Sequence, residues 1–115
     1  MTNTHFSIGG DLSVRRIGYG TMRLADGPPH DPANAPIWTA PADRDGAISV
    51  LRRAVALGVN LVDTADAYAL GAGEELIADA LHPYPKDLVI STKVGLTRPG
   101  PREWVPVGHP AYLRQ

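Results

Sequence analysis

The sequence contains no cysteine, which excludes disulfide bonds and thiolate metal sites and is typical of a reducing compartment. No apolar run approaches the ~18 residues that a membrane-spanning helix needs. An excess of one charge is also missing, because 11 basic and 12 acidic residues give a net charge of −1. The opening segment, MTNTHFSIGG, lacks the basic and apolar regions of a signal peptide. These absences predict a soluble, cytoplasmic protein with no nucleic-acid and no membrane partner.

Glycine and proline are abundant, with 12 and 11 residues, and many of them fall in two segments, residues 26–41 and 96–110. Because both residues interrupt regular structure, these segments are predicted to be long loops. The chain of 115 residues is long enough for one domain, residues 1–115, and too short for two.

Between the loops, strand and helix patterns alternate. The segment from His5 to Val14 predicts a hairpin with a two-residue turn at Gly9-Gly10. The segments that follow are predicted to be a strand at 16–20, a helix from Asp43 or Asp45 to about Leu57, a strand at 59–63, a helix at 71–81 with Gly73 as its N-cap, a strand at 88–93 and a helix beginning at Pro110. This order is typical of right-handed parallel βαβ units in an α/β fold.

Two polar side chains stand where apolar strands are predicted to end, namely Asp63 and Lys93. In α/β folds the loops at the carboxyl ends of the strands hold the functional site. Tyr68 follows Asp63 in the adjoining loop, so the three side chains are expected to converge at one edge of the sheet.

An acid, a phenol and an amine at one edge could perform general acid catalysis. A phenol has a pKa of about 10 in water, and a nearby ammonium favours its ionised form. A carboxylate paired with the lysine would keep the amine charged and oriented. Tyr68 could then donate a proton to a carbonyl oxygen while a bound cofactor supplies a hydride. The alternative for Asp63, Tyr68 and Lys93 is structural: a turn cap, a packed aromatic ring and a surface amine.

Four segments, RIGYGTMRL, GVNLVDTADAY, GEELIADAL and LVISTKVG, resemble the N-terminal part of aldo-keto reductases. The resemblance covers most of residues 11–95, and DTADAY followed by STK is its most specific feature. It implies a (β/α)8 TIM barrel, of which this chain supplies the N-terminal hairpin and about three βα units. It also implies reduction of aldehydes and ketones with NADPH, with NADH not excluded.

The resemblance implies roles for individual residues. Asp63, Tyr68 and Lys93 match three members of the family's catalytic tetrad. Gly20, Thr21 and Met22, together with Asp63, match residues that approach the cofactor. The tetrad histidine would follow the next strand, which lies outside this chain, and none of His5, His30, His82 or His109 matches it.

An alternative function is a non-catalytic, truncated barrel fragment or one half of a split protein. Three parallel strands would leave unpaired edges and an uncovered face, so self-association or a chain that completes the barrel is expected. The partners of the reductase would instead be small carbonyl compounds.

Other polar and aromatic residues receive simpler interpretations. Asp66 is expected to be a solvated loop carboxylate. Trp38 and Trp104 are equally suited to lining a pocket or to covering the rim of the barrel. The isolated histidines predict no metal site.

Overall fold

The computed structural model describes residues 3–115, so Met1 and Thr2 of the predicted domain lie outside the described residues. The strands are β1 (His5–Ile8), β2 (Leu12–Arg15), β3 (Tyr19–Gly20), β4 (Leu61–Ala65), β5 (Val89–Lys93), β6 (Leu96–Thr97) and β7 (Val105–Pro106). The helices are α1 (Arg44–Ala56), α2 (Ala72–Leu81) and α3 (Pro110–Leu113), with 3-10 turns at Met22–Leu24 and Tyr68–Gly71.

The N-terminal hairpin pairs β1 with β2 in antiparallel register, with Phe6 opposite Val14 and Ile8 opposite Leu12. This register leaves three residues in the turn, so the predicted two-residue turn is wrong. Gly9 and Gly10 both have positive φ, which glycine adopts without steric cost, and Asp11 completes the turn.

The three central strands form a parallel sheet in the order β3-β4-β5, with α1 and α2 as the crossovers, which confirms the predicted α/β arrangement. The boundaries of all three central strands differ from prediction, that of β5 only at its start, which is Val89 rather than residue 88. β3 includes only Tyr19 and Gly20, and β4 begins at Leu61 and continues to Ala65. Asp63 therefore lies in the middle of β4 rather than at its end, because backbone pairing with β5 continues as far as Ala65 and Lys93.

Helix α1 begins as the sequence predicts. The Asp43 side chain accepts a hydrogen bond from the Gly46 backbone N–H, and Gly58 follows the helix with a φ of +99°. Helix α2 differs, because its N-cap is Gly71, with a φ of +96°, and Gly73 lies inside the helix. The tight turn after Tyr68 needs a left-handed residue at position 71, and this places the start of the helix two residues earlier than predicted.

The core lies between the sheet and the two long helices. Leu51 from α1, Val62 from β4 and Ile77 from α2 are almost completely buried there. Buried Asn60 connects this layer to the hairpin, because its Oδ1 accepts from the Arg15 N–H at 2.7 Å and its Nδ2 donates to the Ser13 carbonyl at 3.1 Å.

The second glycine- and proline-rich segment contains a small hairpin, β6–β7, that the sequence analysis missed. Its strands have two residues each, which is too short for a recognisable alternation of apolar residues. Helix α3 begins at Pro110, as predicted. Within residues 3–115, every helix is too short or too polar to cross a membrane.

Candidate active site

The two charged residues on neighbouring strands meet at the carboxyl edge of the sheet. Lys93 pairs with Ala65 across the strands, and Asp63 lies two residues before Ala65, so alternation places both charged side chains on the same face. Lys93 Nζ donates to Asp63 Oδ2 at 2.5 Å and to the Thr64 carbonyl at 3.0 Å. About half of each charged side chain remains exposed.

Tyr68 lies directly beside this ion pair. Its side chain is buried, and Lys93 Nζ lies 5.2 Å from the centroid of the phenol ring, which is within cation–π distance. Burial acts to lower the pKa of the Lys93 ammonium, but its interactions with Asp63 and Tyr68 outweigh burial and raise that pKa above its ordinary value. The structure therefore brings the three predicted side chains together and holds the amine in its charged form.

The segment after β3 approaches the same place. Gly20 pairs with Asp63 in the parallel register. Thr21 is buried, and both its backbone N–H, at 3.0 Å, and its hydroxyl, at 2.9 Å, donate to the Asp63 carbonyl. Thr21 thus fixes the backbone that carries Asp63, and Met22 extends toward the open side of the site.

A cavity of about 230 Å³ opens beside Tyr68 and Lys93. Its remaining lining is mostly apolar, formed by Met22, Ala65, Ala67, Val94, Leu96 and Trp104, with Asp66 contributing a carboxylate. The cavity thus brings one phenol, one ammonium and one carboxylate together among largely apolar walls, as is typical of small-molecule sites.

The two tryptophans differ in position. Trp104 lines the cavity, whereas Trp38 is outside its lining. The Arg98 guanidinium carbon lies 3.6 Å from the centroid of the Trp104 ring and 5.4 Å from that of Trp38. The sequence around Arg98 does not predict this contact, because an arginine inside a glycine- and proline-rich loop carries no local signal of burial.

Asp66 is not the solvated loop carboxylate that the sequence predicted. The Tyr112 hydroxyl donates to its Oδ2 at 2.5 Å, and its Oδ1 is buried without a hydrogen-bond partner among the described residues. The hydrogen bond to Asp66 raises the pKa of the Tyr112 phenol. The prediction failed because the partner lies 46 residues away, where α3 returns to the sheet.

The histidines lie elsewhere. His109 caps α3, where its ring accepts from the Ala111 N–H at 3.2 Å. None of the four histidines lines the cavity. Among residues 3–115, no three His, Asp or Glu side chains are grouped so that they could hold a metal ion.

Comparison with known proteins places this geometry in a family context. The sequence model of the aldo/keto reductase family matches residues 16–115. The chain is 45% identical over 107 residues to an uncharacterised oxidoreductase of Schizosaccharomyces pombe, covering 92% of this chain and 32% of that protein. It is 43% identical over 115 residues to pyridoxine 4-dehydrogenase of Escherichia coli, covering all of this chain and 37% of that protein.

Solved structures give a similar result. An aldo-keto reductase from Bacillus halodurans in its holo form matches with a TM-score of 0.74 at 27% identity, over 96% of this chain and 33% of that one. The glycerol dehydrogenase of Gluconobacter oxydans matches with a TM-score of 0.75 at 28% identity, over 99% of this chain and 33% of that one. The chain thus spans about a third of the length of the proteins it matches.

Proposed function

The chain belongs to the aldo/keto reductase family, and from this membership we propose that it supplies the proton-donating part of a site that reduces aldehydes or ketones. The sheet β3-β4-β5 would be the first part of a (β/α)8 barrel domain that continues beyond these three strands. The observation that supports this proposal best is the contact of Lys93 with both Asp63, at 2.5 Å, and the Tyr68 ring, at 5.2 Å.

Tyr68 is the proposed general acid. A carbonyl oxygen that gains negative charge during reduction needs a proton, and the Tyr68 phenol is the proton donor that lies beside the ion pair in the cavity lining. Lys93 supplies an ammonium next to it. Asp63 holds the ammonium in place and charged, since an ion pair favours the protonated amine. The raised pKa of Lys93 supports this division of roles.

The cavity fits the reactive end of a nicotinamide nucleotide. A flat, weakly polar ring suits the apolar walls formed by Met22, Ala65 and Trp104. Gly20 has no side chain, and a Cβ built there would meet nothing within 4 Å, so the space beside it is open. When bound, the nucleotide would supply the hydride that no side chain provides. Met22 would border it in the cavity lining, whereas Gly20, Thr21 and Asp63 lie outside that lining and are proposed as its neighbours only from the family resemblance.

The nucleotide is proposed to be NADPH, with NADH as the competing candidate. The family includes a relative that is 32% identical over 87 residues and is named an NADH-specific methylglyoxal reductase, from Escherichia coli. Fluorescence titrations with both nucleotides would separate the two. A cytoplasmic location, in keeping with the absence of cysteine, stays a prediction.

The test uses a complete barrel. Residues 1–115 replace the matching segment of the E. coli pyridoxine 4-dehydrogenase, to which the chain is 43% identical over its whole length. Oxidation of NADPH or NADH is followed with a panel of aldehydes and ketones. We expect Tyr68→Phe to reduce kcat by about 10²–10⁴-fold while nucleotide binding persists.

Tyr84→Phe is the matched control, because Tyr84 is half-exposed, packs edge to face against His82 and lies outside the cavity lining. It should leave kcat unchanged. Full turnover in the Tyr68→Phe chimera would refute the proposed role of the phenol. A chimera that binds nucleotide yet reduces no carbonyl compound would refute the proposed activity.

A second candidate function is association with a partner through the open sides of the sheet. Ile17 is 78% exposed, Leu57 65% and Val94 56%, although each is a large apolar side chain. β3 and β5 are both edge strands, and such edges are ready to pair with further strands. A second copy or a chain that completes the barrel would cover them. Light scattering across protein concentrations tests this, and a monomer at every concentration would argue against it.

A further inference from the structure

We propose that Arg98 is a positioning residue for the reaction. Its guanidinium holds the strained Ile37 backbone against the turn at Tyr68–Gly71, called the Tyr68 turn below, and it fixes Trp104 at the cavity wall. The inference rests on the proposed function in one respect: it assumes that Tyr68 is the acid. Its structural part, which is control of the Tyr68 backbone by Arg98, can be tested without any measurement of turnover.

Arg98 is buried to an unusual degree for an arginine, with only 8% of its surface exposed. Burial acts to lower the pKa of its guanidinium, and no carboxylate within residues 3–115 forms an ion pair with it. Backbone carbonyls take that place: Nε donates to Glu103 at 2.9 Å, Nη2 to Pro101 at 2.9 Å and Nη1 to Ile37 at 2.8 Å. A buried charge satisfied in this way costs desolvation energy, so the stability it adds is small.

The third acceptor of Arg98, the Ile37 carbonyl, belongs to a strained backbone. Its φ is +62°, a left-handed conformation that is strongly disfavoured for a β-branched residue. Its carbonyl accepts two hydrogen bonds, from Arg98 Nη1 at 2.8 Å and from the Ala69 N–H at 3.2 Å. The strained conformation thus directs one oxygen at both the guanidinium and the Tyr68 turn, and the charged donor helps to hold it there.

The Tyr68 turn is itself strained. Ala69 and Leu70 both have positive φ, of 51° and 55°. Ala69 follows Tyr68 directly, and the Ile37 side chain packs against Tyr68 in a small buried cluster. The orientation of the phenol therefore depends on a turn that is anchored through the Ile37 carbonyl.

Arg98 also contacts Trp104, another residue of the cavity lining. Its guanidinium carbon lies 3.6 Å from the Trp104 ring centroid, and Trp104 lines the cavity together with Tyr68 and Lys93. One side chain thus connects the Ile37 carbonyl, which accepts from the Ala69 N–H, to an aromatic ring of the cavity lining. The ion pair of Arg102 and Asp31 joins the same two loops, with the Arg102 side chain 67% exposed and the Asp31 side chain 19% exposed. If Arg98 did no more than join the loops, removal of Arg102 should have the same effect as removal of Arg98.

That ion pair provides the matched control. Amide hydrogen exchange is measured on residues 1–115 for Arg98→Met and for Arg102→Met. We expect Arg98→Met to accelerate exchange of the Ala69 amide about tenfold or more, because the Ile37 carbonyl loses its charged donor. Arg102→Met should leave the Ala69 amide unchanged. Wild-type protection of Ala69 in Arg98→Met, with faster exchange confined to the two loops, would overturn the inference.

If the amides of α1 also lose protection from exchange in Arg98→Met, that variant has unfolded. The Arg98→Lys variant then tests the inference. One ammonium cannot span the three carbonyls, so Ala69 exchange should rise while α1 stays protected. Wild-type exchange in that variant would overturn the inference. A further measurement uses Ile37→Gly, since glycine adopts the left-handed conformation without strain. In that background Arg98→Met should accelerate Ala69 exchange less, and an equal acceleration would argue against the proposed route.

The catalytic consequence is measured in the chimera. Arg98→Met should lower kcat about 10- to 100-fold with an unchanged KM for the nucleotide, and added guanidinium ion should restore part of the loss. Unchanged kcat with accelerated Ala69 exchange would refute the catalytic consequence alone. Loss of the proposed function would instead appear as an active Tyr68→Phe chimera, whatever the exchange data show.

Discussion

The Lys93 amine lies 2.5 Å from the Asp63 carboxylate although half of each side chain is exposed to solvent. In water such a pair is usually worth little to stability, because screening and side-chain entropy offset the attraction. The other contacts of the Lys93 amine indicate the role of the ion pair: the amine also contacts the Tyr68 ring and donates to the Thr64 carbonyl. The pair fixes the direction and charge of the amine, and its removal should be visible in the titration of the lysine.

Asp63→Asn should lower the pKa of Lys93, because the carboxylate is one of the groups that raise it above 10.5. The stabilisation from a raised lysine pKa is present below the ordinary value and is lost as pH rises through the folded-state value. The wild-type chain should therefore lose this contribution only above about pH 10.5. The NMR shift of the Lys93 Cε against pH measures it, with Lys86 as the internal control. Identical Lys93 curves in both proteins would contradict the assignment.

Tyr112→Phe should destabilise the fold by about 1 kcal/mol, because the phenol donates a hydrogen bond to the Asp66 carboxylate. The raised pKa of Tyr112 gives the pH dependence. Its contribution is present below the ordinary value of 10.0 and is lost as pH rises through the higher folded-state value. Urea unfolding at pH 7 and absorbance titration of the phenols check the two parts, with Tyr84→Phe as control. Equal stability of Tyr112→Phe and wild type would count against this contact.

Asn60→Leu should destabilise the chain by about 1–3 kcal/mol, because the part-buried backbone groups of Arg15, Ser13 and Asp87 lose their hydrogen-bond partner. Asn60→Asp keeps an acceptor for the Arg15 N–H, but it buries a carboxylate whose second oxygen faces the Ser13 and Asp87 carbonyls, so it should destabilise the chain at least as much. Chemical denaturation of the three proteins gives the order. An Asn60→Asp variant as stable as the wild type would show that the hydrogen bonds donated by Asn60 contribute nothing measurable.

Asp43→Ala should cost about 1 kcal/mol of stability through loss of the N-cap of α1. Asp43→Asn retains an oxygen for the Gly46 N–H and should recover most of that loss. The midpoint of urea unfolding measures both variants. No difference between Ala and Asn at position 43 would show that the cap contributes nothing measurable.

Much of the local structure could be predicted because its causes are local. Helix α1 follows from a capping Asp43, apolar residues on one stripe and Gly58 after the last turn. The parallel sheet follows from the alternation of strands and helices. Convergence of Asp63 and Lys93 also followed, because parallel strand direction places both near one edge of the sheet. The position of Tyr68 beside them depends in addition on the left-handed turn at Ala69 and Leu70.

Other features depended on where distant segments meet. The N-cap of α2 is Gly71 rather than the predicted Gly73. The left-handed turn at Ala69 and Leu70 that precedes it could not be predicted, because alanine and leucine do not indicate a positive φ. The strands β6 and β7 have two residues each, too few for a periodic pattern. The partner of Asp66 could not be predicted either, because the Tyr112 hydroxyl that donates to it lies 46 residues away in the sequence.

The sequence by itself determined the order of strands and helices, the carboxyl edge where the acid, phenol and amine gather, and the family to which the motifs belong. Only the tertiary structure decided that Arg98 is buried and that its guanidinium reaches the Ile37 carbonyl, 61 residues earlier in the chain. The physical reason is range. Caps and periodicity act over a few residues, whereas the partner of a buried charge is set by the packing of two loops whose separation in the chain carries no local signal.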